Sequence, residues 1–276
     1  MRMRSPYRPH LGGNVAAMGG IDADALLWRD AVVTNGGTVS ADRLAIISTF
    51  IVAEKVAGTW ALTDDYWGFW AESQIQALTS LKQRRLATAV NTPTFTTDRG
   101  YAFNGTTNYL DTGFVPSTHA VAMTGSNMRI AGYERANLAV TNSYTAGVSD
   151  GTNQGLRVGA RTAGNVVVGA ANCPATNIGS GIMDSRGLTA LSRTAAGVFG
   201  IYKNGLTGGT AVPASTGTVL PIRSIGIGAI MFSGTWGGYR AATIGAVMVG
   251  ASLSAAQELA QYNAVQAWAT AVGAQV

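Results

Sequence analysis

Residues that could perform acid–base or nucleophilic chemistry are few in this sequence, and they are widely separated. Two histidines are present, His10 and His119, and a Ser-His-Asp triad would have to use the second of them. Glycoside hydrolysis needs two carboxyl groups at one cleft, and in a sandwich glucanase they usually alternate along one strand. No E-x-D-x-E pattern occurs, and Glu134 has no acidic residue two positions away on either side. The sequence therefore predicts no catalytic residues and a protein that is not an enzyme.

Metal ligands and cofactor motifs are equally sparse. Cys173 is the only cysteine and has no Cys or His neighbours, so neither a disulfide nor a zinc site is expected within the chain. No Walker loop and no G-x-G-x-x-G opens a predicted helix. Asp111, Asp150 and Asp184 lie in loops rich in Asn and Gly, where carboxylate and carbonyl oxygens can hold calcium. We therefore expect no metal and no cofactor, with calcium at these loops as the alternative.

One loop offers aromatic side chains for binding rather than for catalysis. Trp236 and Tyr239 stand among glycines in the segment G-T-W-G-G-Y-R. An aromatic ring can stack on a sugar ring, and glycine neighbours leave its face open. We therefore take Trp236 and Tyr239 as candidate glycan-stacking residues. The alternative is that the indole of Trp236 closes one end of a sandwich.

The first twenty residues are basic and rich in proline and glycine. Pro6 and Pro9 disfavour a helix, and two Gly-Gly pairs follow them. Arginine side chains make bidentate contacts with carboxylates on a partner. The sequence predicts an extended attachment arm over 1–20, and the alternative is a terminus without a partner. The candidate attachment residues are Arg2, Arg4, Tyr7 and Arg8.

Composition restricts the class of protein further. Charged residues make up 12% of the 276 positions, about half the usual share, and hydrophobic residues make up 47%. The net charge of +5 comes with no nucleic-acid-binding motif, so we expect no nucleic-acid partner. No stretch of about 18 apolar residues occurs, so no membrane insertion is expected. A surface rich in Ala, Gly and Thr favours burial between identical subunits, so we expect a homo-oligomer, although this composition does not fix the number of subunits.

The elements that would position these residues change character near residue 86. Between 21 and 85, helix caps and helical spacing predict a small helical lead-in, whose aromatic segment 60–70 packs on the core. From 86 onward, short apolar runs bounded by Gly, Asn and Pro predict strands, including 121–123 and a hairpin entry at 198–205.

The end of the sequence predicts a helix. Ser254 and Gln257 have the spacing of a capping box. The apolar stripe that follows consists of Leu259, Tyr262, Val265, Trp268 and Val272. The predicted fold is therefore mainly β, with an antiparallel two-sheet jelly-roll sandwich over 86–276 that includes this C-terminal helix.

Three stretches, in this order, resemble concanavalin A-like (laminin G-like) jelly-roll structural proteins of tailed phages. YAFNGTTNYLDTGFVPS at 101–117 is similar to the early hairpin of that family, and GLTALSRTAAGVFGIYKNG at 187–205 is similar to its central hairpin. The stretch that begins TIGAVMVGASLS at 243 is similar to its last strand and C-terminal helix. The resemblance implies a two-sheet jelly roll, often oligomeric, on tail fibres, head fibres or capsid decorations. Because displayed phage fibres are commonly trimeric, the resemblance favours a trimer. It implies no catalytic set.

Two functional hypotheses follow. The first is a non-enzymatic virion structural or display protein of a tailed phage, assembled in the host cytoplasm. Such a protein would join other virion proteins through the arm and contact a host surface glycan. The alternative is a lectin-like carbohydrate-binding module that uses Trp236 or Tyr239. A glycan-degrading enzyme is a third hypothesis, against which the missing carboxylate pair argues.

Overall fold

The computed structural model describes residues 20–195, 198–213 and 215–276. The helices in these residues are α1 (Ala23–Thr34), α2 (Ala41–Val56), α3 (Thr59–Leu62), α4 (Gln74–Leu78), α5 (Pro116–His119) and α6 (Ala255–Ala271). The strands are β1 (Thr63–Gly68), β2 (Thr88–Val90), β3 (Thr94–Thr96), β4 (Gly100–Ala102), β5 (Tyr109–Asp111), β6 (Met128–Glu134), β7 (Ala146–Gly151), β8 (Gln154–Gly159), β9 (Val167–Ala171), β10 (Thr176–Ile178), β11 (Gly187–Ala195), β12 (Val198–Lys203), β13 (Leu206–Ala211), β14 (Gly226–Ile227), β15 (Ile230–Phe232), β16 (Thr235–Gly237) and β17 (Thr243–Gly250).

The strands form two largely antiparallel sheets. In the first sheet the order is β13-β12-β11-β6-β17-β4-β3, and β1 also pairs with β17. In the second sheet the order is β10-β9-β8-β7-β14-β5-β2, and the β15–β16 hairpin joins β7 through a parallel contact. The prediction of a mainly β, antiparallel two-sheet sandwich with a C-terminal helix is therefore confirmed.

The main core lies between the two sheets, because alternate residues of each strand point inward. Fully buried residues of the first sheet that face this core include Ile130, Leu191 and Ile244. Those of the second sheet include Leu110, Val148, Leu156, Val158 and Ile227. The residues between them in the sequence point to the outer faces of the sheets.

Helices α1, α2 and α6 cover the outer face of the first sheet. A second apolar cluster joins these helices to the sheet, and its members include Trp28, Phe50, Tyr66, Ala131, Met248 and Trp268. Gly68 on β1 makes room for Trp268, since a Cβ at this position would lie 1.9 Å from Cη2 of the indole. In the described part of the chain, none of these three helices packs on the outer face of the second sheet.

The segment 21–85 differs from the predicted helical lead-in. Helices α1 and α2 do form, with Asp22 and Ser40 as their N-caps. Residues 63–68, however, form strand β1, which pairs antiparallel with β17. Every residue of β1 is buried, so the segment lacks the alternation that marks a half-exposed strand. This part of the chain therefore contributes a strand to the sandwich and is not wholly helical.

The predicted strand at 121–123 is a loop in the structure. The carboxylate of Asp64 accepts the backbone N–H groups of Val121, Ala122 and Met123, at 2.8, 2.6 and 3.0 Å. These N–H groups therefore bond to a side chain instead of a neighbouring strand.

Helix α6 begins with the predicted capping box of Ser254 and Gln257, but its buried face differs from the predicted stripe. Leu259 is 40% exposed, whereas the polar residues Glu258 and Gln261 are fully buried. The rest of the predicted stripe is confirmed, since Val265 and Trp268 are buried and Tyr262 and Val272 pack against the same apolar cluster. In the first turn the buried position belongs to Glu258, which bonds to Arg129 of the first sheet.

Candidate functional site

The glycan-stacking candidates Trp236 and Tyr239 lie beside Tyr109 on the outer face of the second sheet, and we call these three residues the Trp236 cluster. The indole of Trp236 stacks on the ring of Tyr109, with centroids 4.1 Å apart and planes inclined by 28°. The ring of Tyr239 lies 6.3 Å from that of Tyr109. Trp236 and Tyr239 are half-buried, and Tyr109 is buried. The structure thus brings the two candidates together and adds Tyr109, which the sequence analysis did not identify.

Strands β5, β14 and β16 position the Trp236 cluster. Leu110 points into the core, so its neighbour Tyr109 on β5 points outward. Gly226 on β14 has no side chain, and a Cβ at this position would lie 2.3 Å from Cζ3 of Trp236. The glycine therefore allows the indole to approach the sheet. Because the indole is only half-buried, the surface that Tyr109 and Gly226 leave uncovered remains open to a ligand.

A second group on the same outer face, the Arg157 cluster, consists of Tyr144, Arg157 and Phe232. The guanidinium carbon of Arg157 lies 5.5 Å from the ring centroid of Tyr144 and 5.7 Å from that of Phe232. The two rings lie 6.1 Å apart. Contacts of this kind are cation–π interactions, which stabilise a guanidinium beside an aromatic ring. Tyr144 and Arg157 are buried, whereas Phe232 is 36% exposed.

Two glycines leave space for the side chain of Arg157 on the sheet. Leu156 and Val158 point into the core, so Arg157 points outward. Gly147 is its cross-strand partner on β7, and Gly155 precedes it by two positions on β8. A Cβ at Gly147 would lie 2.4 Å from the Cβ of Arg157, and one at Gly155 would lie 3.0 Å from its Nη1.

The β15–β16 hairpin connects the two clusters. Phe232 pairs with Thr235, and Trp236 pairs with Met231, so the two aromatic side chains point to opposite faces of the hairpin. One face therefore contributes to the Arg157 cluster, and the other contributes to the Trp236 cluster. The hairpin fixes the positions of both aromatic rings relative to each other.

Glu134, the carboxylate considered for catalysis, and Glu258 on α6 each form a buried ion pair. Glu134 accepts hydrogen bonds from Nε and Nη2 of Arg240 and from the hydroxyl of Thr145. Glu258 accepts two hydrogen bonds of 2.7 Å from Arg129. Glu134 therefore links β6 to the residues that precede β7, and Glu258 links α6 to β6.

The aspartates considered for calcium are engaged separately. Asp150 pairs with Arg223, and Asp184 pairs with Arg186 at 2.7 Å. The hydrogen bond from Arg186 lowers the pKa of Asp184. Asp111 accepts the backbone N–H two positions further on. In the described residues, no group of three or more His, Cys, Asp or Glu side chains is arranged to hold a metal ion.

His119 makes a local contact rather than one to a nucleophile. Its Nδ1 accepts the N–H of Val115 at 2.8 Å, and burial lowers the pKa of the imidazole. Residues 147–151 match the motif G-x-S-x-G, which marks the nucleophilic serine of some hydrolases. Ser149, however, lies within strand β7, which leads directly into strand β8 and not into a helix. This segment therefore lacks the strand-to-helix turn of a nucleophile elbow.

The remaining candidates lie outside the described residues. They are Arg2, Arg4, Tyr7, Arg8 and His10. The role of the arm over 1–20 thus stays a prediction. Among the helices of residues 20–195, 198–213 and 215–276, none combines the length and the apolar character needed to cross a membrane.

Comparison with known proteins supports the fold. No family model matches the sequence, and no curated protein matches it either. Among solved structures, the chain is similar to a mutant of Trypanosoma rangeli sialidase displaying trans-sialidase activity. The TM-score is 0.53 at 12% identity, over 83% of this chain and 40% of the sialidase. The chain therefore spans about two fifths of that enzyme's length.

A second similar structure is shorter than the sialidase. It is domain 4 of AbnA, a GH43 extracellular arabinanase from Geobacillus stearothermophilus, in complex with arabinotriose. The TM-score is 0.48 at 11% identity, over 72% of this chain and 97% of that domain. At 12% identity, the likeness to the sialidase shows a shared β-sandwich fold.

Proposed function

We propose that this chain is a non-enzymatic binding and display protein that contacts carbohydrate through the outer face of its second sheet. The Trp236 cluster carries the proposal, because its half-buried indole is fixed by Tyr109 and Gly226. It lies on a sheet face that α1, α2 and α6 leave uncovered. A ring that packing already holds in place loses little conformational freedom when a sugar stacks on it.

The setting that we propose is the surface of a tailed-phage particle. Two of the stretches that resemble phage jelly-roll proteins contain the implied elements, since β11 pairs with β12 and β17 leads to α6. The stretch 101–117 does not form the implied hairpin, because β4 and β5 belong to different sheets. The 12% charged fraction also suits a protein whose surface is shared with other subunits. In this setting the protein would be assembled in the host cytoplasm and would present its second sheet to a host surface glycan.

A glycan array probed with the purified full chain tests the binding function. We expect a signal that Trp236→Ala removes and that Tyr262→Ala retains. Tyr262 is the matched control because it is a half-buried aromatic residue on α6, which packs on the other sheet. Circular dichroism establishes that both variants are folded. Unchanged binding by Trp236→Ala, or no binding of any glycan by the wild type, would show that the proposal is wrong.

Incorporation into particles tests the display function. Deletion of residues 2–20 should leave the melting temperature nearly unchanged and abolish incorporation, because we assign attachment to this arm. If the shortened protein is incorporated at the normal copy number, the arm is not the attachment segment. If the full-length protein is absent from purified particles, the proposed setting is wrong.

A further inference from the structure

Arg157 differs from other buried arginines of this protein in its hydrogen bonding. Arg129 and Arg240 each hold a glutamate, and Arg43 pairs with an aspartate. Nε and Nη1 of Arg157, in contrast, are buried and have no hydrogen-bond partner in the described residues. The residue as a whole is only 6% exposed. Among the described residues, Arg157 is thus a buried cation that forms no ion pair.

This arrangement costs free energy, because a guanidinium remains charged at physiological pH and its N–H groups need acceptors. The rings of Tyr144 and Phe232 offset part of the cost through cation–π contacts, but the faces of these rings do not replace an anionic acceptor. If Arg157 only filled space in the structure, an apolar side chain of similar size would stabilise the fold at least as well. The chemistry therefore indicates a ligand that brings its own negative charge.

Access to Arg157 is from the outer face of the second sheet. Nη2 of Arg157 is not among its enclosed atoms, and the adjacent Phe232 is 36% exposed. Gly147 and Gly155 provide space around the side chain. Nη2 therefore lies at the edge of a surface that also presents an open aromatic ring, whereas Nε and Nη1 lie beneath it.

We infer that Arg157 binds the carboxylate of an acidic sugar, whose ring lies against Phe232, and this inference rests on the proposed carbohydrate-binding function. The accessible Nη2 of Arg157 can donate a charge-assisted hydrogen bond to a carboxylate oxygen. The aromatic ring matches the C–H face of a sugar. Since Trp236 points to the other face of the β15–β16 hairpin, the acidic sugar and the stacked sugar occupy separate subsites, one on each side of this hairpin.

Isothermal titration calorimetry with three matched probes tests this inference. The probes are an oligomer of hexuronic acid, its carboxyl-reduced neutral form, and a sulfated derivative of that neutral form. We expect the full chain to bind the uronic oligomer about ten- to a hundredfold more tightly than the reduced form. Arg157→Met should remove this preference and leave the affinity for the reduced form unchanged. Arg157→Lys keeps the charge but not the planar donors, and it should retain only part of the preference.

Folding of the variants separates binding from structure. Arg157→Met should melt at or above the wild-type temperature, because it removes an unpaired buried charge. Arg240→Met, which leaves Glu134 buried without its partner, should melt lower. If Arg157→Met does not fold, Arg157→Lys provides the test, and a uronic preference undiminished in that variant would show that the inference is wrong.

The remaining outcomes distinguish this inference from the proposed function. Equal affinities for the uronic and reduced oligomers, with both lost in Trp236→Ala, would refute the acidic-sugar site and support the proposed function. A persistent uronic preference in Arg157→Met would refute the role of this residue. Tighter binding of the sulfated oligomer than of the uronic oligomer would refute the carboxylate assignment. No binding of any of the three probes would refute the acidic-sugar site, whereas the proposed function is refuted only if the glycan array is negative as well.

Discussion

Arg129 on β6 and Glu258 on α6 form a buried bidentate ion pair, in which Nε and Nη2 each lie 2.7 Å from a carboxylate oxygen. Their side chains are 2% and 1% exposed. The pair fixes α6 on the first sheet, and it explains why a charged residue lies on the buried face of that helix. The guanidinium and the carboxylate thus satisfy each other's charge and hydrogen bonds. Among the described residues, Arg157 forms no ion pair of this kind.

Glu258→Gln is expected to lower the free energy of unfolding by about 3–5 kcal/mol, because Arg129 then remains buried and charged without an anionic partner. Urea unfolding followed by circular dichroism measures the change. The double variant Arg129→Met/Glu258→Leu should recover most of the loss, since both charges are gone. A loss below about 1 kcal/mol in the single variant would mean that the pair does little to hold the helix.

Trp268→Ala is expected to cost about 3–5 kcal/mol of stability, since the indole is 3% exposed and its removal leaves a cavity. The ring lies 4.9 Å from that of Phe50 and 5.5 Å from that of Trp70. Leu259→Ala on the same helix is the control and should cost less than about 1 kcal/mol, because Leu259 is 40% exposed. Equal effects of the two substitutions in denaturant unfolding would contradict this packing.

The stability of the protein should depend on pH through Asp65. Burial raises the pKa of this carboxyl from 3.8 to about 6. The folded protein therefore holds the proton more tightly than the unfolded chain, so the contribution of Asp65 to stability is largest below pH 3.8 and is lost as the pH rises through 6.

Asp65→Asn removes this titration and keeps an oxygen that can accept the N–H of Tyr66. Relative to the wild type, the variant should gain about 3 kcal/mol at neutral pH and much less near pH 4. Unfolding measured at several pH values between these limits checks the prediction. A constant difference between the two proteins across the range would show that Asp65 does not titrate in this way.

The molar mass from light scattering should be three times the chain mass of 28.4 kDa, because the resemblance to displayed phage fibres favours a trimer. Exposed apolar side chains support burial between subunits, and Val56, Val121 and Val212 are more than 80% exposed in the single chain. The mass of one chain at micromolar concentration, with residues 1–20 present, would contradict the prediction.

The sandwich was predictable from sequence where apolar residues alternate, but strands β7 and β8 were not predicted. Their outward positions are occupied by Gly147, Ser149, Gly155 and Arg157, which have low strand propensity or carry charge. The apolar residues that face the core, Val148 on β7 and Leu156 and Val158 on β8, are too few to indicate an alternating strand pattern. These two strands are recognisable only when their neighbours β14 and β9 are known.

The candidate site was predictable only in part, for a related reason. Trp236 and Tyr239 stand out by residue type and by their glycine neighbours. Tyr109 enters the site because β14 places it beside the hairpin, and no local pattern encodes that contact. Arg157 is a single charge in the sequence, and it is distinguished by its burial without an ion pair to any of the described residues.

The pairing of β1 with β17 has a consequence for biosynthesis. Residues 63–68 emerge from the ribosome long before residues 243–250, yet each strand is the other's partner in the first sheet. Contacts so distant in sequence slow folding, and until they form, the aromatic residues of β1 lack their final cover. The first sheet is therefore completed late in translation. The nascent chain is most prone to aggregate before β17 has been synthesised, because Tyr66 and Trp67 are then not covered by their partner strand.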